Sequence, residues 1–343
     1  MHDQRPRSRV KNQVSSTTRP FLVAEVSSNH SQSRRRALAF IEETARLGFD
    51  AVKFQQFKIN ELFSPSALAA NPNLLERIDW ELPETLNAEL SGVARSHGLE
   101  YQSTPFYRSA VDALEPHVDR FKLASYQVLW HDLLRLVAET GKPVILATGM
   151  ATLDEVRAAV DVLQGNGCGE LTLLHCVSLY PTPPEEANLR AIETMRGEFG
   201  LPIGWSDHTR SIDVVERAVR RFGANLVELH LDLDGEGNEY SSGHCWLPVE
   251  ARQLVKRLRE EREIAVSAPC DGDGRKLPRA AEAHERQWRT DPTDGLRPLI
   301  STRLHEGLDV HLDPDHSRLS EVSTSVVDRV EAGDSGLSGE QAA

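Results

Sequence analysis

The sequence predicts an α/β chain closed into a (β/α)8 barrel, with a short irregular C-terminal extension behind it. Three observations carry that expectation. Eight short β-rich runs alternate with helical patterns over about 240 residues, which is the arithmetic of such a barrel. Each run is bounded by Gly, Pro, Asp or Asn, as buried parallel strands are. No G-x-G-x-x-G follows the first run, where a doubly wound dinucleotide fold, the runner-up, would carry it. The fold class is therefore read as an α/β TIM barrel.

Taken in order, residues 1–19 are polar, with Arg and Lys gathered between positions 5 and 11, and read as a disordered basic arm. The strands fall at PFLVAEV (20–26), DAVKFQQF (50–57), LEYQST (99–104), DRFKLAS (119–125), KPVILAT (142–148), ELTLLHC (170–176), LPIGWS (201–206) and ANLVELH (224–230). Residues 33–48 place Ala37, Phe40, Ile41, Ala45 and Leu47 on one side and close on Gly48, a helix-terminating signal. Residues 152–165 open on Thr152 and Glu155, the spacing of a capping box. Helical patterns recur at 188–199, 211–223 and 248–262. The barrel is expected over 20–265 and an extension over or beside it at 266–314. Residues 315–343 are rich in Ser, Gly and acids and read as a mostly disordered tail, apart from a short helix near Val326.

Composition narrows the function. Hydrophobic residues make 39% of the 343 and charged residues 27%, a globular balance. The net charge of −13 argues against nucleic acid as a partner, which would call for a basic excess. It leaves an anionic small molecule open, because local cations decide that. Cys168, Cys176, Cys245 and Cys270 are far apart with no C-x-x-C pairing, so they read as reduced thiols of a cytoplasmic protein. No apolar run approaches the length of a membrane span, and the basic N-terminus lacks the apolar stretch of a signal peptide.

In a barrel the chemistry collects at the C-terminal ends of the strands. Here every strand brings a polar group to that rim. Strand one ends at Glu25, before Asn29 and His30; strand two carries Lys53 and Gln55; strand three ends Gln102-Ser103-Thr104. Strand four carries Lys122 and ends at Ser125, and strand five ends at Thr148-Gly149. His175 and Cys176 close strand six, with Ser178 and Tyr180 beyond; Ser206, Asp207 and His208 close strand seven; strand eight carries Glu228 and His230. Packing alone would not require this. The plain alternatives are ion-paired or snorkelling lysines, hydrogen-bonded rim histidines and a helix-capping Asp207. His175 and Cys176 are given a core role.

The stretches AEVSSNH (24–30), GFDAVKFQQF (48–57), STPF (103–106), FKLAS (121–125), KPVILATGMATLDEV (142–156), LLHCVSLYPTPPEEANLRAI (173–192), GWSDHT (204–209) and VELH (227–230) resemble, in family order, the sialic acid synthases that use phosphoenolpyruvate. The resemblance runs from about residue 21 to 262. It implies condensation of the enol carbon of phosphoenolpyruvate with a sugar aldehyde, giving a 2-keto-3-deoxy sugar acid and phosphate. By this resemblance Lys53, Lys122, Thr104, Ser125 and Ser206 match positions that hold phosphoenolpyruvate; Thr148, Ser178 and Asp207 are read as further substrate contacts, and Asp207 also as a residue that orients the His208 imidazole. Glu25, Gln55 and Tyr180 match positions facing the sugar. Glu25, Lys53, Lys122 and Tyr180 are the catalytic candidates. His208 and His230 match the family's metal ligands, which implies a divalent cation, Mn²⁺ or Mg²⁺. A homodimer is the candidate assembly.

Four departures from the family pattern bear on the acceptor. Leu229 replaces a basic residue before His230, and Ala147 replaces a frequent Ser. The Gly-Pro-Asp-His loop gives way to GEGNEYSSGHCWLP (235–248), leaving Glu239, Ser242 or His244 to substitute. Residues 263–314 are too short for the family's antifreeze-like domain, which reads the sugar's N-acyl group; they contain WRTDPTDGLRPLISTR (288–303), whose Arg289, Arg297 and Arg303 either bind an anion, cover the barrel mouth or form surface ion pairs. The expectation is therefore a synthase with an atypical acceptor. A metal-dependent barrel aldolase without phosphoenolpyruvate and a non-catalytic sugar-binding paralogue stay open as alternatives. The retained lysines favour the synthase over the first, and the paired histidines over the second.

Overall fold

The computed structural model describes residues 19–260 and 263–308. The basic arm up to residue 18, the tail at 315–343 with its helix near Val326, and the last residues of the expected extension lie outside them.

Eight parallel strands pair in chain order and close into a barrel, the first against the last. They are β1 (Phe21–Ser27), β2 (Ala51–Gln56), β3 (Glu100–Pro105), β4 (Arg120–Leu123), β5 (Val144–Ala147), β6 (Leu171–His175), β7 (Ile203–Asp207) and β8 (Leu226–His230). Each lies within or against an expected run. The helices in order are α1 (Arg34–Leu47), α2 (Ile59–Leu62), α3 (Pro65–Ala70), α4 (Asn87–Ser96), α5 (Ser109–Leu114), α6 (His131–Glu139), α7 (Leu153–Gly165), α8 (Ala191–Phe199), α9 (Ile212–Arg220) and α10 (Pro248–Arg259). The local signals act as their chemistry demands. Gly48 takes the left-handed conformation (φ 82°) and stops α1. At the start of α7, Glu155 N donates to Thr152 Oγ1 and Thr152 N to the Glu155 carboxylate, a reciprocal cap.

Strand side chains alternate between two environments. One set, including Val52, Phe54, Phe121, Leu146, Leu173, Trp205 and Leu229, packs outward against the helices in the main core. The other fills the barrel: Phe21, Val23, Ala51, Ile145, Leu174 and Leu226 form its lower layers. Gly204 lies in this set because a Cβ there would come within 2.5 Å of Leu226 O and 2.6 Å of a Leu174 methyl. Above these layers the same inward parity carries Glu25, Lys53, Lys122, Ser206, Glu228 and His230, with Glu25 in register with both Lys53 and His230.

Two irregular segments meet over the mouth. Between β2 and β3 the chain leaves the barrel through α2, α3 and a 3₁₀ stretch (Pro72–Trp80). Phe57, Ile59, Leu62, Phe63, Leu68, Leu74 and Phe106 make a separate apolar cluster there, closed by Trp288. Trp288 belongs to the second segment, the residues after α10, which include α11 (Ala283–Gln287) and α12 (Ile300–His305). Among the described residues these form short turns and helices laid on the barrel rather than a separate domain. Contacts that anchor them include the Arg217–Asp271 ion pair, Lys276 Nζ donating to Thr148 O, and the Glu282 carboxylate accepting from Met150 N and Ser178 N. Farther on, Phe63 pairs with Arg297 as a parallel bridge.

Candidate active site

The C-terminal ends of the strands surround a cavity of about 430 Å³. Inward parity decides what lines it. Glu25, Lys53, Gln55, Thr104, Lys122, Ser125, Tyr180, Ser206, His208 and His230 all do, so ten of the thirteen residues expected from sequence are brought together. Three are not. Asp207 lies between two inward residues and so points out. Its carboxylate accepts from Trp205 Nε1 (3.0 Å), Thr209 Oγ1 (2.7 Å), Trp246 Nε1 (3.1 Å) and Arg210 N (3.1 Å), which leaves it no substrate or histidine to hold. Thr148 Oγ1 donates to Leu174 O at 2.9 Å. Ser178 sits behind Gly149, where a Cβ would meet its hydroxyl at 2.4 Å. Cys176, expected in the core, does line the cavity; its sulfur is 3.1 Å from Ser125 Oγ and from Gly149 N.

The floor is a charge cluster. Lys53 is paired with Glu25, and Lys122 Nζ lies 3.0 Å from Glu228 Oε1, which is also 3.7 Å from Lys53 Nζ. All four side chains are almost wholly buried. Burial lowers the Lys53 ammonium to about 7, with Glu228 opposing the shift and Lys122 adding to it. Burial resists ionisation of Glu228, yet Lys122 and Lys53 outweigh it and hold the carboxyl below its ordinary range. Glu228 was visible in the sequence as a lone carboxylate in an apolar strand, but it was not assigned to the site.

Next to this cluster, with His230 in register with Glu25, stands a histidine group. His208 donates through Nδ1 to Val177 O at 2.8 Å, which fixes its ring and leaves Nε2 for the cavity. Its ring centroid is 5.4 Å from that of His230 and 4.4 Å from Tyr180. The loop after β8 adds two residues. His244 lies 4.5 Å from His230, centroid to centroid, and the Glu239 carboxylate is 3.1 Å from His230 Nδ1. One metal-compatible set among the described residues is His230, Glu239, His244 and Cys245, with ligand atoms all within 4.8 Å of one another. Burial pushes His208 and His230 down to about 3 and His244 to about 2, so each imidazole is neutral, the form that binds metal. That donor set fits a divalent cation; it holds His230 of the pair expected from sequence, with Glu239, His244 and Cys245, while His208 stands beside it and is not one of its four members.

The loop is held by its own contacts. Glu239 N donates to Asn29 Oδ1 (2.8 Å), Asn238 Nδ2 to Ser28 O (3.0 Å) and Asn29 Nδ2 to Leu231 O (3.0 Å). Ser27 Oγ donates to Glu239. Gly237 passes so close that a Cβ would come within 2.4 Å of Asp232 Oδ1 and 2.6 Å of Asn29 Oδ1. Leu229, by contrast, is fully buried in the outer core, so its departure from the family pattern does not reach the cavity. Ala147 does line it.

Of the three arginines in 288–303, Arg289 pairs with Glu155 and Arg303 with Asp294; Arg297 alone lines the cavity.

Comparison with known proteins places this geometry. The model of the NeuB family matches residues 40–268. The chain is 33% identical over 275 residues to the N,N'-diacetyllegionaminic acid synthase of Legionella pneumophila, covering 75% of this chain and 76% of that one. It is 36% identical to the uncharacterized protein MJ1065 of Methanocaldococcus jannaschii over 76% of this chain and 75% of that one. Among solved structures, the N-acetylneuraminic acid synthetase from Leptospira borgpetersenii in complex with citrate superposes with a TM-score of 0.65 at 29% identity, over 78% of this chain and 90% of that one.

Proposed function

The chain belongs to the NeuB family of C–C bond-forming, phosphoenolpyruvate-utilising transferases, and from that premise we propose that it condenses phosphoenolpyruvate with a sugar aldehyde other than N-acetylmannosamine. The observation that carries the reading is one cavity holding both halves of the chemistry. Lys53, Lys122, Thr104, Ser125 and Ser206 line the same space as His208 and His230.

The roles follow from position. Lys53 and Lys122 hold the phosphate and carboxylate of phosphoenolpyruvate, exchanging Glu25 and Glu228 for the substrate's charges. Thr104, Ser125 and Ser206 donate to the remaining oxygens. The enol carbon C3 attacks the aldehyde carbon, water adds at C2, and phosphate leaves with cleavage of its C–O bond. Glu25 is placed to move the protons of this sequence, since a buried carboxylate beside an exchangeable cation is a tunable acid or base. His208 and His230, joined by Glu239 and His244, would hold the divalent ion; when bound it polarises the aldehyde oxygen as a Lewis acid. Imidazole donors suit Mn²⁺ better than Mg²⁺. Gln55 and Tyr180 face the sugar. Four free, buried cysteines support a cytoplasmic setting, and among the described residues no helix is long and apolar enough to cross a membrane.

The test is phosphate release from phosphoenolpyruvate across a panel of aldoses and divalent metals. Release that requires both an aldose and a metal supports the reading. Aldol cleavage without phosphoenolpyruvate would favour the metal-dependent aldolase instead.

A further inference from the structure

Arg297 is a buried cation that makes no ion pair with any carboxylate among the described residues, set in the wall of the substrate cavity. Its backbone is locked in the bridge to the β2–β3 excursion, N donating to Leu62 O and O accepting from Ser64 N, both at 2.9 Å. The guanidinium stacks 4.2 Å from the centroid of Tyr126 and 5.2 Å from that of Phe106. Nε reaches Thr290 Oγ1 at 3.3 Å, while Nη2 is buried with no hydrogen-bond partner. Glu285, which also lines the cavity and whose charge favours the ionised guanidinium, accepts from the Tyr126 hydroxyl, and no described carboxylate makes an ion pair with Arg297. Burial lowers its basicity only to about 10, so it stays charged at neutral pH. Aromatic faces repay part of the cost of burying such a charge, and the rest calls for an anion.

The place of the residue says which anion. Phosphoenolpyruvate brings a phosphate and a carboxylate, and the floor already offers Lys53 and Lys122 to them. Arg297 comes from a different part of the chain, the segment packed over the mouth, and stacks on Tyr126 and Phe106 above that floor. We infer that Arg297 binds an anionic group, carboxylate or phosphate, on the acceptor sugar, at the end remote from its aldehyde. This rests on the synthase reading above. A guanidinium suits the task because its planar fork donates to two oxygens at once. It also accounts for an arginine kept unpaired between Arg289 and Arg303, both of which have protein partners.

The experiment is titration calorimetry on the full-length, Mn²⁺-loaded protein. Phosphoenolpyruvate is titrated first; D-mannose, D-mannose 6-phosphate and D-mannuronate follow on the loaded complex. One of the two anionic sugars should bind about tenfold or more tightly than mannose, and which one identifies the group. Arg297→Gln should abolish the preference while phosphoenolpyruvate affinity holds within about twofold. Equal binding of all three sugars, or a preference that survives Arg297→Gln, overturns the inference. So does an equal loss of phosphoenolpyruvate affinity, which would assign Arg297 to the other substrate. If Arg297→Gln does not fold, Arg297→Lys carries the test: it keeps the charge but not the fork, and an unchanged preference counts against the assignment. No binding of phosphoenolpyruvate to the wild type would overturn the synthase reading and this inference together.

Discussion

At the scale of single residues, the site is a matter of parity and pairing. Lys122 stands beside Glu228 with its charge buried. Lys122→Met should weaken phosphoenolpyruvate binding by at least about tenfold, with much less effect on the sugar, because a charge-assisted contact to an anion is lost. Calorimetry checks this, and unchanged phosphoenolpyruvate affinity in a folded variant refutes the role. In the histidine group, His208→Ala with His230→Ala should remove Mn²⁺ binding, read by the paramagnetic resonance signal of free Mn²⁺. Chelation should stop turnover of the wild type and Mn²⁺ restore it; a fully active double variant would sink the assignment. Most of these residues were legible as polar groups in apolar strands. Asp207 was misplaced although the signal was present: if Ser206 and His208 face inward, the residue between them cannot. Leu229 obeys the same rule. His244 was legible only as a substitute for the replaced loop; its place beside His230 was not, since an irregular loop has no period to read.

At the scale of elements, the eight strands and the caps of α1 and α7 were legible because their determinants are local. The pairing of Phe63 with Arg297 was not, since two irregular segments more than 200 residues apart make it. The loop after β8 is the element that most changes the site. Gly237 is its tightest point. Gly237→Ala should displace the loop from Asn29 and Asp232, and with it Glu239 and His244. Mn²⁺ affinity should fall about tenfold or more, as when groups that orient ligands are lost, while the thermal midpoint moves little because the barrel layers are untouched. A full loss of Mn²⁺-independent stability would show instead that the loop holds the fold. The comparison of binding and melting curves separates the two.

At the scale of the molecule, the segment after α10 is tied to the barrel by Arg217 and Asp271, whose side chains are only 5% and 6% exposed. The guanidinium holds the Asp271 carboxyl below its usual range. A lowered folded value adds stability that is complete above the ordinary carboxylate range, near about pH 4, and drains as the pH falls through the folded value. Asp271→Asn should therefore cost about 3 kcal/mol at neutral pH, as breaking a buried pair does, and the gap from wild type should narrow in acid. Denaturation at both pH values measures it, and a gap independent of pH would contradict it. The rewritten loop and the covered mouth also argue about the acceptor: N-acetylmannosamine should turn over about a hundredfold or more slowly than the enzyme's own sugar. Rapid formation of the nine-carbon acid from it would refute that. The segment over the mouth has one more consequence. Lys122 on the floor, the histidine group and Arg297 over the mouth line one cavity of the same chain. Mixing a Lys122 variant with an Arg297 variant should thus restore no activity, because each chain's cavity keeps the defect of its own Lys122 or Arg297. Each polypeptide is its own complementation group.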